Sequence, residues 1–407
     1  MAQAIKFLHA SDLHLDRAIS GLAEVPPHLK STMVNAPYLA AENIFQLAVS
    51  EKVDFVLLAG DVVDLDAGGP RAAAFLLHHF ERLAEREIRV YWCNGNVDQP
   101  DRWPAAASLP DNIVTFTSTG FEESIFRKNG QPIASIYGAG FYSSRHGLPD
   151  LRADSNAVFP IALAYQPFET PVFDGGGVRY WAIGGNHARS LVERTTSVVV
   201  AAGTPQARCI DEAGPHSCAL VKVDVTGKTR VEHMAVDVVR WLPQTLSFAE
   251  SASDEDIKNL LADRGLTVAS ETPDQIALVD WQVTTTGEFN PRLRDSEWRQ
   301  KIIAWLRTEF GSSTKGLWTT DFEIDPTRTL PQHWHDEDTM LGDFLQTIGR
   351  FQADAQLTFP LQAFAPGSGY DEWLGDIARI DEQSRGGVLR DATLFAIERL
   401  GAFADND

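Results

Sequence analysis

The sequence has few cysteines, no long apolar run and no leader-like segment at its start. Cys93, Cys209 and Cys218 form no Cys-x-x-Cys pair, so a disulfide framework is not expected and a reducing compartment is the simplest interpretation. The sequence contains no run of about 18 apolar residues, which is the length that spans a membrane. Residues 1–7 lack the basic and apolar regions of a signal peptide. We therefore expect a cytoplasmic protein without membrane association.

Positive charge is also scarce. The chain has 35 Lys and Arg residues against 56 Asp and Glu residues, which gives a formal net charge of −21. Because non-specific DNA affinity comes mainly from neutralisation of phosphates by Lys and Arg, a broad DNA-binding surface is not expected. DNA stays open as a partner, since a local basic rim or a partner subunit could supply the contacts.

The first 240 residues alternate between short apolar runs and stretches with helical spacing. Continuous apolar runs are typical of strands that are buried on both faces of a sheet. Ala40, Ile44 and Leu47 follow helical spacing, as do Ala72, Leu76 and their neighbours. The pattern predicts a layered α/β architecture. Strands are predicted at 5–10, 53–59, 89–93, 134–138, 160–164, 180–183, 197–202 and 219–225.

The rest of the chain predicts two smaller regions. A boundary falls near 241–253, where Ser253 begins a helix that Gly265 ends. A strand at 276–285, a helix at 296–310 and a strand at 317–324 then complete a small α/β module. Residues 326–335 have the composition of a linker, and apolar stripes after it indicate helices. The predicted domains are 1–240, 253–325 and 336–403.

Side chains that can bind metal ions follow several of the predicted strands directly. Asp12 and His14 follow the first strand, Asp61 the second, Asp98 the third and His187 the strand at 180–183. The carboxyl ends of parallel strands share one edge of a sheet, where sites form in α/β proteins. Each piece alone is an ordinary cap or turn, but their joint occurrence predicts a metal site. Carboxylate and imidazole ligands together suit manganese, iron or zinc.

The same series resembles the signature of the calcineurin-like metallophosphoesterases. Residues 8–15 and 53–61 resemble in particular the SbcD-type double-strand-break DNA repair exonucleases, including bacterial relatives of the YhaO kind, and the turn at 203–206 fits them too. The resemblance covers about residues 4–240 and is weak beyond 250. It implies a four-layer α/β/β/α sandwich, with the module at 253–325 in the position of the family's capping domain.

The resemblance implies one complete metal site and one degenerate site. The ligands of the first ion match Asp12, His14, Asp61 and His187. The second ion would share Asp61 and take Asn96, but its two histidine positions correspond to Tyr165 and Gly185. Gln166 and Asn186 lie beside these positions as candidate replacement ligands. We therefore expect one divalent ion per chain, manganese, with iron and zinc as alternatives.

The family's catalytic histidine corresponds to Val97, which cannot transfer a proton. Asp98, which supports that histidine in the family, would be left without its partner. General acid catalysis is worth roughly 10²–10⁴ in rate, so the expected hydrolysis is weak. Arg145 and Arg189 are candidate phosphate contacts at the rim of the cleft.

Three function classes stay open. The first is a metal-dependent phosphodiesterase of the DNA repair exonuclease type, which the intact first site favours. The second is a DNA-repair scaffold, favoured by the replacements at 97, 165 and 185, that acts with an SbcC-like coiled-coil ATPase docked by its helical C-terminal region. The third is a small-molecule phosphodiesterase, which the acidic charge favours mildly. A homodimer is compatible with all three.

Overall fold

A computed structural model describes residues 3–99, 103–104, 107–117, 120–141, 151–154, 158–166, 176–249, 252–286, 296–313, 316–324, 330, 332–354, 357, 359 and 382–400. The chain divides into two compact units. One comprises Met1–Leu242 with Thr272–Leu278, and the other comprises Pro243–Glu271 with Val279–Asp407. The predicted limits 1–240, 253–325 and 336–403 stay predictions.

The regular elements alternate along the first unit and are more helical in the second. The strands are β1 (Ile5–Ala10), β2 (Phe55–Ala59), β3 (Arg89–Cys93), β4 (Ile113–Phe116), β5 (Glu122–Lys128), β6 (Gln131–Ala139), β7 (Pro160–Tyr165), β8 (Tyr180–Gly184), β9 (Ser190–Glu193), β10 (Val198–Ala201), β11 (Ser217–Val223), β12 (Thr229–Ala235), β13 (Val239–Trp241), β14 (Gln244–Ala249), β15 (Ile276–Thr286) and β16 (Leu317–Ile324). The helices are α1 (Pro27–Ser50), α2 (Leu65–Ala84), α3 (Asp254–Glu271), α4 (Ser296–Phe310), α5 (Gln332–Asp336), α6 (Met340–Ala353) and α7 (Glu382–Leu400).

Two six-stranded sheets form the first unit. Their strand orders are β12-β11-β1-β2-β3-β4 and β5-β6-β7-β8-β10-β9. Strands β1 to β4 run parallel to one another, and so do β6, β7, β8 and β10. The carboxyl ends of the parallel strands in each sheet therefore share one edge, as the sequence predicts.

The central strands of the first sheet are buried on both faces, which explains their continuous apolar runs. On one face, Leu8 and Val56 belong to a cluster with Phe45 of α1. On the other face, Phe7 and Tyr180 of the second sheet meet edge to face, with ring centroids 5.1 Å apart. The two sheets therefore pack against each other, with α1 and α2 on the outer face of the first.

The predicted α/β class is confirmed. The outer face of the second sheet, which includes Trp181 and Ile183, packs against Phe121, Leu151 and Ala153. Both α-helices that the structure describes in the first unit, α1 and α2, pack on the first sheet, so the fourth layer of the predicted sandwich is not observed among the described residues of this unit.

In the second unit, β14 and β16 both pair with β15, and α3 and α4 bury their apolar faces. The prediction that Gly265 ends the first helix is wrong, because α3 continues to Glu271. A Cβ atom at Gly265 would lie 2.8 Å from the Phe310 ring. The glycine therefore lies inside α3, where it allows the Phe310 ring at the end of α4 to pack closely, and it does not end the helix.

The predicted linker at 326–335 is also partly wrong, since α5 begins at Gln332. Helix α6 follows, with the Thr339 side chain accepting a hydrogen bond from the Gly342 nitrogen at 3.1 Å as an N-cap. Its predicted stripe is confirmed, because Leu341 and Ile348 are buried. Among the helices that the structure describes, none is long and apolar enough to cross a membrane.

Candidate metal site

The backbone of the loops that follow β1 and β2 is constrained at the residues that carry the predicted ligands. Asp12, His14 and Asp61 have φ angles of 54°, 43° and 50°, in the left-handed region. Such conformations cost about 1–3 kcal/mol each and persist only where the surroundings fix them. Here the two loops bond to each other: the Asp12 nitrogen donates to the Gly60 oxygen and the His14 nitrogen to the Asp61 oxygen, both at 3.0 Å.

This backbone brings three of the predicted ligands together. One ligand atom each from Asp12, His14 and His187 lies within 4.8 Å of the other two. The Nε2 atoms of His14 and His187 are 3.3 Å apart, with their rings nearly perpendicular. Oδ2 of Asp61 lies 3.7 Å from the His14 Nε2 atom, at the border of the group. The four predicted ligands of the first ion therefore converge.

The chemistry of this group fits a divalent cation. The carboxyl groups of Asp12 and Asp61 are both buried and lie close together. Burial and the nearby charge of Asp61 therefore raise the pKa of Asp12 to about 7. Burial and the Arg208 charge lower the pKa of His14 to about 3, which keeps its imidazole neutral. The Nε2 atoms of His14 and His187 are 3.3 Å apart, close enough that both imidazoles would reach one ion.

Tyr165 and Gly185 both donate hydrogen bonds to the retained carboxylates. The Tyr165 hydroxyl donates to Oδ2 of Asp61 at 2.7 Å. The Gly185 nitrogen donates to both carboxylate oxygens of Asp12, at 3.0 and 3.1 Å. Burial and the hydrogen bond to Asp61 raise the pKa of Tyr165 far above its ordinary value, so the hydroxyl keeps its proton. Uncharged donors thus contact both carboxylates at the positions where the resemblance implies second-site ligands.

Asp98 has other hydrogen-bond partners in place of the histidine that it supports in the family. Its buried carboxylate accepts hydrogen bonds from the backbone nitrogens of Asp61 and Val62, both at 3.2 Å, from the Gly95 nitrogen and from the Trp92 indole at 2.8 Å. Burial raises the pKa of Asp98 to about 6, which leaves the carboxylate mainly ionised at neutral pH. Asp98 therefore joins the loop after β2 to the loop after β3, and this role does not depend on the side chain at position 97.

Other predicted positions lie at the surface. Asn96 is exposed, a poor fit to a ligand role in a buried site, and half-buried Val97 donates its backbone nitrogen to Oδ1 of Asp61 at 3.0 Å. The Asn186 side chain accepts a hydrogen bond from the Ala188 nitrogen at 3.4 Å, within its own turn.

The remaining predicted contacts are partly visible. The backbone nitrogen of Gln166 donates to the Gly184 oxygen at 2.9 Å. Arg189 is exposed and lines a cleft of about 590 Å³ that His187 also lines. Arg145 lies outside the described residues.

Sequence reasoning does not identify Arg208 and Glu212, which contact His187. Oε1 of Glu212 lies 2.9 Å from Nδ1 of His187 and accepts from Nη2 of Arg208 at 2.6 Å. Burial alone would raise the pKa of Glu212, but hydrogen bonds from His187 and Arg208 lower it far below its ordinary value. The opposite charges four residues apart, just after the turn at 203–206, are the only sequence signal for this pair.

Comparison with known proteins decides the family. The sequence pattern of the calcineurin-like phosphoesterases matches residues 5–227, more than half of the chain. The chain belongs to this family. Calcineurin-like phosphoesterases are hydrolases that act on phosphoester bonds with divalent metals, and the Asp/His group described above lies within the matched residues.

Individual relatives of this metallophosphoesterase are distant. The uncharacterized metallophosphoesterase YhaO of Bacillus subtilis (strain 168) is 29% identical over 331 residues, which cover 75% of this chain and 81% of YhaO. The predicted likeness to YhaO is confirmed, whereas SbcD-type specificity stays a prediction.

Solved structures are similar only at low scores. A dimetal phosphatase from Danio rerio has 12% identity and a TM-score of 0.33, over 57% of this chain and 98% of that one. A purple acid phosphatase from yellow lupin (Lupinus luteus) has 9% identity and a TM-score of 0.32, over 58% and 52%. Scores this low carry no argument about the site.

Proposed function

We propose that the protein is a weakly active phosphodiesterase of the DNA repair exonuclease type that works with one divalent ion. The observation that carries the proposal is the convergence of buried Asp12 and His14 with half-buried His187, beside Asp61, whose Oδ2 accepts a hydrogen bond from the Tyr165 hydroxyl. Family membership supports phosphoester chemistry. The single ion and the substrate are what the proposal adds.

The four converging side chains, Asp12, His14, Asp61 and His187, would hold the ion. When bound, a divalent ion lowers the pKa of a coordinated water and polarises a phosphate oxygen. We propose manganese, with iron and zinc as the alternatives that a mixed carboxylate and imidazole set also accepts. The protein's own contribution is to keep His14 neutral by burial and to orient the carboxylates through the Gly185 and Tyr165 donors.

Weak activity follows from the proton donors that the site provides. Val97 stands where the family has its catalytic histidine, and the Tyr165 hydroxyl is bonded to Asp61 with its pKa far above neutrality. Val97 has no proton to transfer, and the proton of the Tyr165 hydroxyl is engaged by Asp61. Because general acid catalysis is worth roughly 10²–10⁴ in rate, we expect turnover to be slower by about that factor than in a relative with the histidine.

The DNA substrate rests on the resemblance of residues 8–15 and 53–61 to SbcD-type exonucleases. A net charge of −21 limits direct DNA contact to a local patch, for which exposed Arg189 in the cleft beside His187 is a candidate. A coiled-coil ATPase partner would supply the remaining contacts. The scaffold function stays as a second candidate, because replacement of the catalytic histidine by Val97 favours it.

Metal analysis tests the single-ion claim. Metal-free protein loaded with manganese, iron or zinc and then desalted should retain one ion per chain. His14→Ala should lose that ion, whereas His78→Ala, which removes an exposed histidine on α2, should keep it. Two ions per chain in the wild type, or one ion retained in His14→Ala, would contradict the assignment.

Activity on end-labelled duplex DNA and on bis(p-nitrophenyl) phosphate tests the reaction and its substrate. Restoring histidines at positions 97, 165 and 185 together should raise the manganese-dependent rate. Gly185 has a φ of 88°, which strains a histidine there, so Val97→His with Tyr165→His is the companion variant. Turnover of the small ester alone would favour a small-molecule substrate. No turnover by any variant, with a coiled-coil ATPase co-purifying, would favour the scaffold.

A further inference from the structure

His187 is the least buried side chain of the metal group. Its side chain is 39% accessible, whereas Asp12 and His14 are almost completely buried. The Thr204 nitrogen fixes its backbone by donating to the His187 oxygen at 3.0 Å, but that bond leaves the ring free to rotate. Because packing does little to fix this ring, its orientation depends on polar contacts on the side away from His14.

Glu212 provides such a contact. Its Oε1 atom lies 2.9 Å from Nδ1 of His187, while Nε2 on the other side of the ring lies 3.3 Å from Nε2 of His14. An ionised carboxylate only accepts hydrogen bonds, so a hydrogen bond between these groups requires the proton on Nδ1. Nε2 of neutral His187 then keeps its lone pair, and that lone pair faces the metal group.

Arg208 in turn holds Glu212. Its backbone nitrogen donates to Oε2 at 2.8 Å, Nε donates to the same oxygen at 3.3 Å, and Nη2 donates to Oε1 at 2.6 Å. Nη2 also lies 2.8 Å from Nδ1 of His187 and 3.4 Å from its Nε2. Because a guanidinium only donates, a protonated Nδ1 would share Oε1 of Glu212 with Arg208, whereas an unprotonated Nδ1 would itself accept from Nη2.

A second histidine, His216, contacts the backbone of the segment that carries Arg208 and Glu212. His216 places Nδ1 2.6 Å from the Thr204 oxygen and Nε2 2.7 Å from the Glu212 oxygen. The backbones of Thr204 and Glu212 are thus joined through one ring, and Thr204 also bonds to the backbone of His187. The carboxylate therefore reaches His187 from a turn that is anchored to the same loop.

We propose that Glu212, held by Arg208, is a positioning residue that fixes the tautomer and the ring orientation of His187. The inference rests on the proposed function in that His187 binds the ion, yet the tautomer is a property of the metal-free protein. Mutation of a carboxylate that contacts a metal-binding histidine typically weakens metal affinity by about 10–100-fold.

The first test needs neither metal nor activity. Two-bond ¹H–¹⁵N spectra of metal-free protein carrying ¹⁵N-labelled histidine report which ring nitrogen is protonated, and His187→Gln assigns the signal. We expect the proton on Nδ1 in the wild type. Glu212→Gln retains an accepting oxygen and should keep this tautomer, whereas Glu212→Ala should give a mixture. A proton on Nε2 of His187 in the wild type would overturn the proposal.

Metal affinity, measured by chelator competition, is the second readout. Glu212→Ala should weaken manganese binding by about 10–100-fold, Arg208→Lys less, and Glu212→Gln least. Asp211→Ala removes the neighbouring exposed charge and should leave affinity unchanged. This control distinguishes the contact of Glu212 with His187 from a general effect of removing one negative charge. If Glu212→Ala matches Asp211→Ala in both affinity and tautomer, the proposal fails. If the wild type binds no ion, the proposed function fails, and the tautomer comparison still decides this inference.

Discussion

Asp98→Ala probes a carboxylate whose role in this protein is structural. The side chain joins the loops after β2 and β3, which carry Asp61 and Gly95. Truncation to alanine removes the shared acceptor and leaves the neighbouring Val97 unchanged. Because the donors lie on two different loops and, in the case of Trp92, on β3, no single neighbour can replace the lost acceptor.

The magnitude follows from the donors that the substitution leaves without a partner. Buried N–H groups of Asp61, Val62, Gly95 and Trp92 each lose an acceptor, at about 1–3 kcal/mol per group. These penalties do not add fully, because the alanine variant no longer buries a carboxylate and water can enter the space. We therefore expect the free energy of unfolding to fall by about 3–4 kcal/mol.

Urea denaturation of metal-free protein at pH 7.5 measures this loss, since a pKa of about 6 leaves Asp98 mainly ionised there. The matched control is Asp224→Ala, because exposed Asp224 also accepts several hydrogen bonds, from the nitrogen and hydroxyl of Thr226 and the nitrogen of Lys228. That control should cost less than about 1 kcal/mol. Equal losses in the two variants would refute the reasoning that buried donors carry the effect. Hydrogen exchange at the amides of Asp61 and Val62 should also rise selectively in Asp98→Ala.

Two further predictions concern the neighbouring residues and the thiols. Tyr165→Phe removes the hydroxyl from Asp61 but keeps the ring, so we expect a stability loss of about 1–2 kcal/mol by urea denaturation and still one bound ion. A second ion in that variant would show that the hydroxyl alone excludes it. Burial raises the pKa of Cys218 to about 12 and that of Cys93 well above its ordinary value, so half-buried Cys209 should give one fast thiol per chain with a disulfide reagent. Cys209→Ser should abolish this fast phase, and a persisting fast phase would mean that a buried thiol becomes accessible.

The sequence predicts buried elements well and edge strands poorly. The predicted bounds of β1, β3, α4 and β16 agree with the structure, because their apolar residues face a core on one or both sides. Strands β5, β9 and β12 are absent from the prediction. All three lie at sheet edges and are mostly exposed or half-buried, so polar and charged residues interrupt the apolar run that would mark them.

The same limit applies to the site. Asp12, His14, Asp61 and His187 are predictable, because each follows a strand directly and the strands are parallel within each sheet. The partners of Asp98 and the contact of Glu212 with His187 are not, because hydrogen bonds between distant loops leave no local pattern. At Gly265 the sequence predicts a helix end that the structure does not show. The glycine instead lies against the Phe310 ring, a contact between residues distant in sequence that no local pattern reveals.

Tyr165 and Gly185, at the positions where the resemblance implies ligands of a second ion, have related roles. Each retained carboxylate is buried, and a buried charge without a partner costs several kcal/mol. Tyr165 supplies a hydroxyl to Asp61, and Gly185 supplies an unblocked backbone nitrogen to Asp12. Gly60 and Gly95 leave room for the tyrosine ring, since a Cβ atom on either would lie within 3 Å of it. Uncharged donors therefore stabilise the carboxylates without a second cation, and histidines restored here must replace these hydrogen bonds before a second ion can bind.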